Sequence, residues 1–119
     1  MTPSRPPASA QVVLVRFPFT DLVREKKRPA LVLFCVPLSR SDHLTTIAMI
    51  TSRVEDKGIS GDVLLSDWKA AGLLHPSRVR LAKVATIDRS LVDRMLGRLV
   101  PRDVAAVKQA LLRLSSFWT

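Results

Sequence analysis

The residues in this chain best suited to chemistry are cations and hydroxyls set at the ends of apolar runs: Arg28, Thr51, Ser52, Arg53, Ser77, Arg78, Arg80 and Lys83. A guanidinium offers a planar fork of donors that matches a phosphate. Donors aimed at charge that develops during a reaction often supply the largest catalytic term. A threonine hydroxyl can align a reacting group and bond its phosphoryl oxygens. Such a kit suits a substrate that brings its own nucleophile, as RNA does with a 2′-hydroxyl beside every phosphate. The enzyme then has to align that oxygen, stabilise a phosphorane-like transition state and help the 5′-oxygen leave. Taken one at a time, Lys26, Lys27, Arg78, Arg80 and Lys83 read equally well as a solvated charged face.

Other chemistries find little support. His43 and His75 have no His or Cys at ligand spacing, so neither a metal nor any other cofactor is expected. There is no Gly-x-Gly-x-x-Gly and no phosphate loop, and nothing supports a Ser–His–Asp arrangement. The single cysteine, Cys35, sits in an apolar run and reads as an inert thiol in a reducing compartment. Nineteen Lys and Arg against ten Asp and Glu give a formal charge of +9, which draws polyanions and points to nucleic acid or an acidic protein partner. No window reaches the ~18 apolar residues of a membrane span, and Met1–Ala10 lacks the apolar core of a secretory signal. The expectation is a soluble cytoplasmic protein with a disordered tail over residues 1–10 and one domain over residues 11–119.

The elements that must hold these side chains follow from pattern. Val12–Phe17 is β-rich and forms a first strand. Residues 18–27 form a loop with Thr20, Asp21, Arg24, Glu25, Lys26 and Lys27. Pro29 then opens a second strand, since proline suits a strand's first residue and not its middle. The unbroken apolar run Ala30–Cys35 reads as buried on both faces, which leaves Arg28 at the mouth of a rigid strand. Thr45–Thr51 is a third strand and Gly61–Leu65 a fourth. Ser66 or Asp67 can cap a short helical piece that Gly72 stops. In Pro76–Val84, Val79 and Leu81 alternate with Arg78 and Arg80, giving a strand with a basic face. Asp88 is expected to cap a short helix through Arg94 to Leu96, stopped at Gly97. Pro101 opens a last helix, with Asp103 in its first turn and Val104, Val107, Leu111 and Leu114 along one side. Phe117-Trp118 is expected to pack on the barrel or on a partner. About five strands followed by helices, with no βαβ unit, favour a small antiparallel barrel over a parallel sheet.

Several segments together resemble the MazF/PemK family of toxin endoribonucleases: Val12–Asp21, Lys27–Leu33, Ile50-Thr51-Ser52, Ala71-Gly72-Leu73, Pro76-Ser77, Lys83, Thr86-Ile87-Asp88 and Leu96–Leu99. They occur in family order at family spacing. One departure is Ala10-Gln11, which stands where the family usually has Gly-Asp. The resemblance implies a mainly β fold with C-terminal helices, an SH3-like barrel of the CcdB/MazF type, working as a homodimer. It implies metal-independent, sequence-specific cleavage of single-stranded mRNA to 2′,3′-cyclic phosphate and 5′-hydroxyl ends. It implies neutralisation by an antitoxin, for which an acidic, partly disordered partner is expected. It carries the catalytic arginine onto Arg28 and the catalytic threonine onto Thr51, with Ser52 as a neighbouring hydroxyl; read from the residues alone, Asp21 and Glu25 are loop acids, of which Glu25 is the candidate for supporting the acid–base step. Thr20, Asp21, Lys27, Ser77, Arg78, Arg80 and Lys83 are the expected RNA contacts. The competing readings are a non-catalytic toxin of the same fold that poisons DNA gyrase, and an inactive RNA-binding barrel.

Overall fold

The computed structural model describes residues 7–17, 26–40 and 42–118. Six strands and one long helix follow in the order β1 (Gln11–Phe17), β2 (Lys26–Pro37), β3 (His43–Thr51), β4 (Asp62–Leu64), β5 (Arg78–Asp88), β6 (Val92–Arg98) and α1 (Pro101–Ser115). The strands make one sheet in the order β4-β5-β3-β2-β1-β6, and every neighbouring pair is antiparallel. The fold is thus mainly β with a C-terminal helix, as expected.

The sheet buries both of its sides. Alternate residues point to opposite faces, and two apolar clusters form accordingly. One gathers Val12, Leu31, Ala48, Ile50, Val79 and Leu81 with Val107 and Ala110 of α1. The other gathers Val13, Val15, Ala30, Val32, Ile47, Ile87 and Val92. β3 lies between them, and its residues Thr45, Thr46, Ile47 and Ala48 are all buried. The apolar run of β2 behaves this way only over its first half. Ala30, Leu31 and Val32 are buried, but a register shift between Val32 and Phe34 breaks the ladder and Phe34 is exposed. The two-sided burial expected as far as Cys35 therefore stops short. The Cys35 thiol is half-buried, 3.5 Å from the Thr45 hydroxyl.

One expected element differs in kind. Asp88 does cap a helical turn, accepting from the Ser90 N–H at 2.8 Å, and this bond, with a smaller contribution from the Ser90 side chain, holds its carboxyl below the usual carboxylate range. The turn covers only Arg89–Leu91, however, and the chain then extends as β6, where a short helix through Arg94 to Leu96 was expected. The pull is tertiary: Val92 is buried in the second cluster, and β6 satisfies the free edge of β1. Gly97 consequently marks a close approach of two backbones and stops no helix. A Cβ there would lie 2.5 Å from the backbone carbonyl carbon of Ala71.

α1 begins at Pro101 as the sequence predicts. Its inward face is Asp103, Val107 and Ala110, with Val104 and Leu114 half-buried, while Leu111 is exposed. Asp103 does more than favour the helix dipole. It is buried, and its carboxylate accepts from the Ser66 N–H at 2.9 Å, the Ser66 hydroxyl at 2.8 Å and the Asp67 N–H at 3.1 Å. It thereby fastens the turn after β4 to the helix. That turn bonds Ala70 N–H to Asp67 Oδ1 but forms no regular helix. Phe117 and Trp118 project outward, at 75% and 91% exposure. Of the expected tail, residues 7–10 are tied to the sheet: Ser9 Oγ donates to the Leu33 carbonyl and Ala10 N–H to that of Val32.

Ala10 is the one described non-glycine residue with positive φ, at 72°. A Cβ in this region costs roughly 1–2 kcal/mol, and Ala10 stands where the family resemblance places a glycine. Ala10→Gly is expected to stabilise the fold by about 1 kcal/mol, read as a higher urea midpoint at unchanged slope. Asp103→Ala is expected to cost about 2–3 kcal/mol in the same titration, because three part-buried donors, two of them backbone N–H groups, lose a charged acceptor.

Candidate active site

The positions of the candidate residues follow from register. At one end of the β2–β3 ladder the last pair is Ala30↔Met49. Arg28 lies two residues before Ala30 and Thr51 two residues after Met49, both just beyond that last pair. On its other side, β3 pairs Met49 with Arg80 and Thr51 with Arg78 of β5. The ladder then breaks: Ala48 pairs with Val84, so Leu81, Ala82 and Lys83 bow out of register.

These segments border a groove of about 690 Å³. Arg28 lies within β2 and not at its mouth, because the strand begins at Lys26, where a loop was expected, and pairs with β1 through Pro29. Arg28, Thr51, Ser52, Ser77, Arg80 and Lys83 all line the groove. So do Arg53, already among the candidate cations, and three polar residues that sequence reasoning did not place there: Asp56, His75 and Arg94. Asp56 read as part of a charged turn, His75 as an isolated histidine, and Arg94 was hidden by the expected helix. Lys27 and Arg78 are not in the wall. Lys27 pairs with Asp93 at 3.5 Å. Thr20, Asp21 and Glu25 lie outside the described residues. Among the described residues no three His, Cys, Asp or Glu side chains gather as a metal site.

The groove is strongly cationic, with Arg28, Arg53, Arg80, Lys83 and Arg94 around it and Asp56 as the one acid in its described wall. Arg28 is exposed and has no ion pair or hydrogen bond to a described residue, so its whole fork is available to a ligand. Thr51 is half-buried, and its Oγ accepts from the Arg53 N–H at 3.1 Å. That bond uses a lone pair and leaves the hydroxyl proton to donate. Ser77 is buried and donates to the His75 carbonyl at 2.8 Å, which commits its proton to shaping the wall.

The loop from Ser52 to Gly61 is held by a charge cluster. Arg78, with its side chain only 8% exposed, lies 3.2 Å from Asp62 Oδ2 and 3.3 Å from Asp56 Oδ1, and donates to the Asp56 carbonyl at 3.0 Å. Gly58 packs directly on this guanidinium with φ of +73°; an added Cβ would overlap Arg78 Nη1 and Asp62 Oδ2. Arg80 shares the same acids at longer range, 3.5 Å from Asp56 and 3.7 Å from Asp62.

The sequence matches the family model described as PemK-like, MazF-like toxin of type II toxin–antitoxin system over residues 8–115. The chain belongs to that family. Solved structures share the fold. MazF from Deinococcus radiodurans aligns with TM-score 0.66 and 24% identity over 95% of this chain and 99% of its own. Mycobacterium tuberculosis toxin MazF-mt6 gives 0.63 and 24% over 92% and 94%. A mycobacterial endoribonuclease in complex with its cognate antitoxin gives 0.64 and 19% over 90% and 92%. The search of curated proteins returned no match.

The cluster yields a stability prediction. Arg78→Met leaves Asp62 buried beside no full-strength partner and is expected to cost about 3–5 kcal/mol by urea unfolding. Arg80→Met, at a more open site with looser pairing, is expected to cost under about 1.5 kcal/mol.

Proposed function

We propose that this chain is an endoribonuclease toxin that cuts single-stranded RNA at specific sequences without a metal ion, and that an antitoxin neutralises it in the cytoplasm. The observation that supports the reading is that Arg28 and Thr51, from the neighbouring strands β2 and β3, both line one cationic groove. Family membership and the activity of the mycobacterial structural relative support it.

In the proposed reaction the ribose 2′-oxygen attacks the adjacent phosphorus and the bond from phosphorus to the 5′-oxygen breaks. The products are a 2′,3′-cyclic phosphate and a 5′-hydroxyl, so one proton leaves the 2′-oxygen and one arrives at the 5′-oxygen. Arg28 binds the non-bridging oxygens and stabilises the extra charge of the phosphorane-like state. Thr51 donates its hydroxyl proton to the same phosphate and fixes its orientation. Ser52 lies beside Thr51, and Glu25 is the candidate for helping the acid–base step. Arg80 and Lys83 extend the contact along β5, with Lys27 at its margin and Thr20 and Asp21 as candidates from the segment before β2; Ser77 and Arg78, expected as RNA contacts, are instead committed to the wall and to the Ser52–Gly61 loop.

The antitoxin is proposed to fill this groove with an acidic segment, as charge complementarity favours. A homodimer has apolar surface available. Phe34, Val36 and Val84 are each about half-exposed and fall on one face of the β2–β3–β5 register.

The pure protein is expected to cut single-stranded RNA in the presence of chelator, with ends mapped by sequencing and the cyclic phosphate identified by mass. Arg28→Ala should lower the rate by roughly 10²–10³ and Thr51→Ala by a smaller factor, with unchanged melting curves. Uncut RNA, together with trapped topoisomerase–DNA complexes, would move the chain to the gyrase-poison class. Uncut but bound RNA would leave an inactive barrel.

A further inference from the structure

We infer that Asp56 occupies the phosphate site of Arg80 in the free protein and that a backbone phosphate of the RNA takes its place on binding. This deepens the nuclease reading and rests on it. Asp56 is the one acid in the described wall of a groove lined by Arg28, Arg53, Arg80, Lys83 and Arg94. Its position is built. Oδ1 accepts from the Gly58 N–H at 2.9 Å and faces both Arg78 and Arg80, while its side chain stays 50% exposed toward the groove.

The two arginines are held differently. Arg78 has a hydrogen bond to Asp62 and another to the Asp56 carbonyl and sits out of the groove wall. Arg80 is in the wall, and its acids stand at 3.5 and 3.7 Å, ion-pair distances too long for good hydrogen bonds. Its buried Nε has no hydrogen-bond partner. A guanidinium so loosely paired keeps its donors for an incoming anion, and a phosphate can engage them in a bidentate way that one distant carboxylate oxygen does not match. Asp56 thus does two things. With Asp62 it balances the largely buried Arg80 cation in the free protein, and it sets a threshold that only a ligand with a well-placed phosphate passes.

The test is binding of a short single-stranded RNA carrying 2′-O-methyl groups, which removes the nucleophile and separates binding from cleavage. Affinity is measured against salt for the wild type, Asp56→Asn, Arg80→Ala and the double variant. Asp42→Asn, an equal charge change at the opposite end of the β2–β3 hairpin, controls for net charge. Asp56→Asn is expected to bind roughly 3- to 10-fold more tightly at low salt, with Asp42→Asn changing far less. Arg80→Ala should flatten the slope of log affinity on log salt by about 0.7. In the Arg80→Ala background, Asp56→Asn should gain nothing. Asp56→Ser, whose hydroxyl can still accept from Gly58, replaces Asp56→Asn if that variant melts early.

An Asp56→Asn gain no larger than that of Asp42→Asn, or one that persists without Arg80, overturns the inference while leaving a wild type that binds and cuts RNA as the nuclease proposed above. Failure of both wild type and Asp56→Asn to bind RNA removes that nuclease reading and this inference together.

Discussion

The register of β3 against its two neighbours is the constraint from which the rest of the molecule follows. β3 is covered on both faces, so its alternating residues are claimed by two different cores. A slip by one residue would exchange Ile47 with Ala48 and send each into the wrong cluster. The packing therefore fixes the ladder to within a single step. Through Ala30↔Met49 and Met49↔Arg80 the same step decides which residues of β2 and β5 arrive beside Thr51. The functional groups are polar and exposed or half-exposed, and contribute little to this choice. They are placed by apolar residues two and three positions away.

A cationic groove has an electrostatic cost in the empty protein, since five like charges share one concave wall. Water screens the exposed members, Arg28 and Lys83 among them, over a Debye length of about 8 Å. Arg80 is shielded from water and needs an anion nearby. Asp56 and Asp62 supply it on the protein side, and RNA or an acidic segment would supply it on the ligand side. The long ion-pair distances at Arg80 are what one expects of a contact that must be strong enough to hold the free state and weak enough to be exchanged.

The legible part of this chain was whatever local pattern determines. The alternation around Val79 and Leu81, the Asp88 cap and the Pro101 helix start each follow from backbone chemistry within a few residues; Pro29 misled, because pairing with β1 carries β2 back to Lys26 and leaves the proline inside the strand, opposite Leu14. The ordered segments that resemble the MazF/PemK family pointed to the mainly β architecture and to the Arg28–Thr51 pairing. What escaped was settled by partners far along the chain. Val92–Arg98 has a mixed pattern that suits a short helix as well as a strand, and only the open edge of β1 decides it. Gly97 signals a stop to a local reading because the Ala71 backbone it accommodates is 26 positions away. Asp56, His75 and Arg94 reach the groove from three separate segments, and no spacing rule links them.

Arg78 and Arg80 press the same lesson within one strand. They are the same residue type, two positions apart, on the same parity, and they meet the same two acids. Sequence alone assigns them one role. In the folded chain Arg78 lies under the Ser52–Gly61 loop with Gly58 closed over it, so its charge is spent on holding that loop. Arg80 lies two pairs nearer the break in the β3–β5 ladder, at the last pair before the chain bows out, and lines the groove. A difference in burial of a few per cent, 8% against 16%, accompanies a difference in kind, because a hydrogen-bonded cation and a loosely paired one answer a phosphate differently. The irregularity in β5 adjoins the site: the out-of-register segment Leu81–Lys83 begins directly after Arg80, and Lys83 from it lines the same groove.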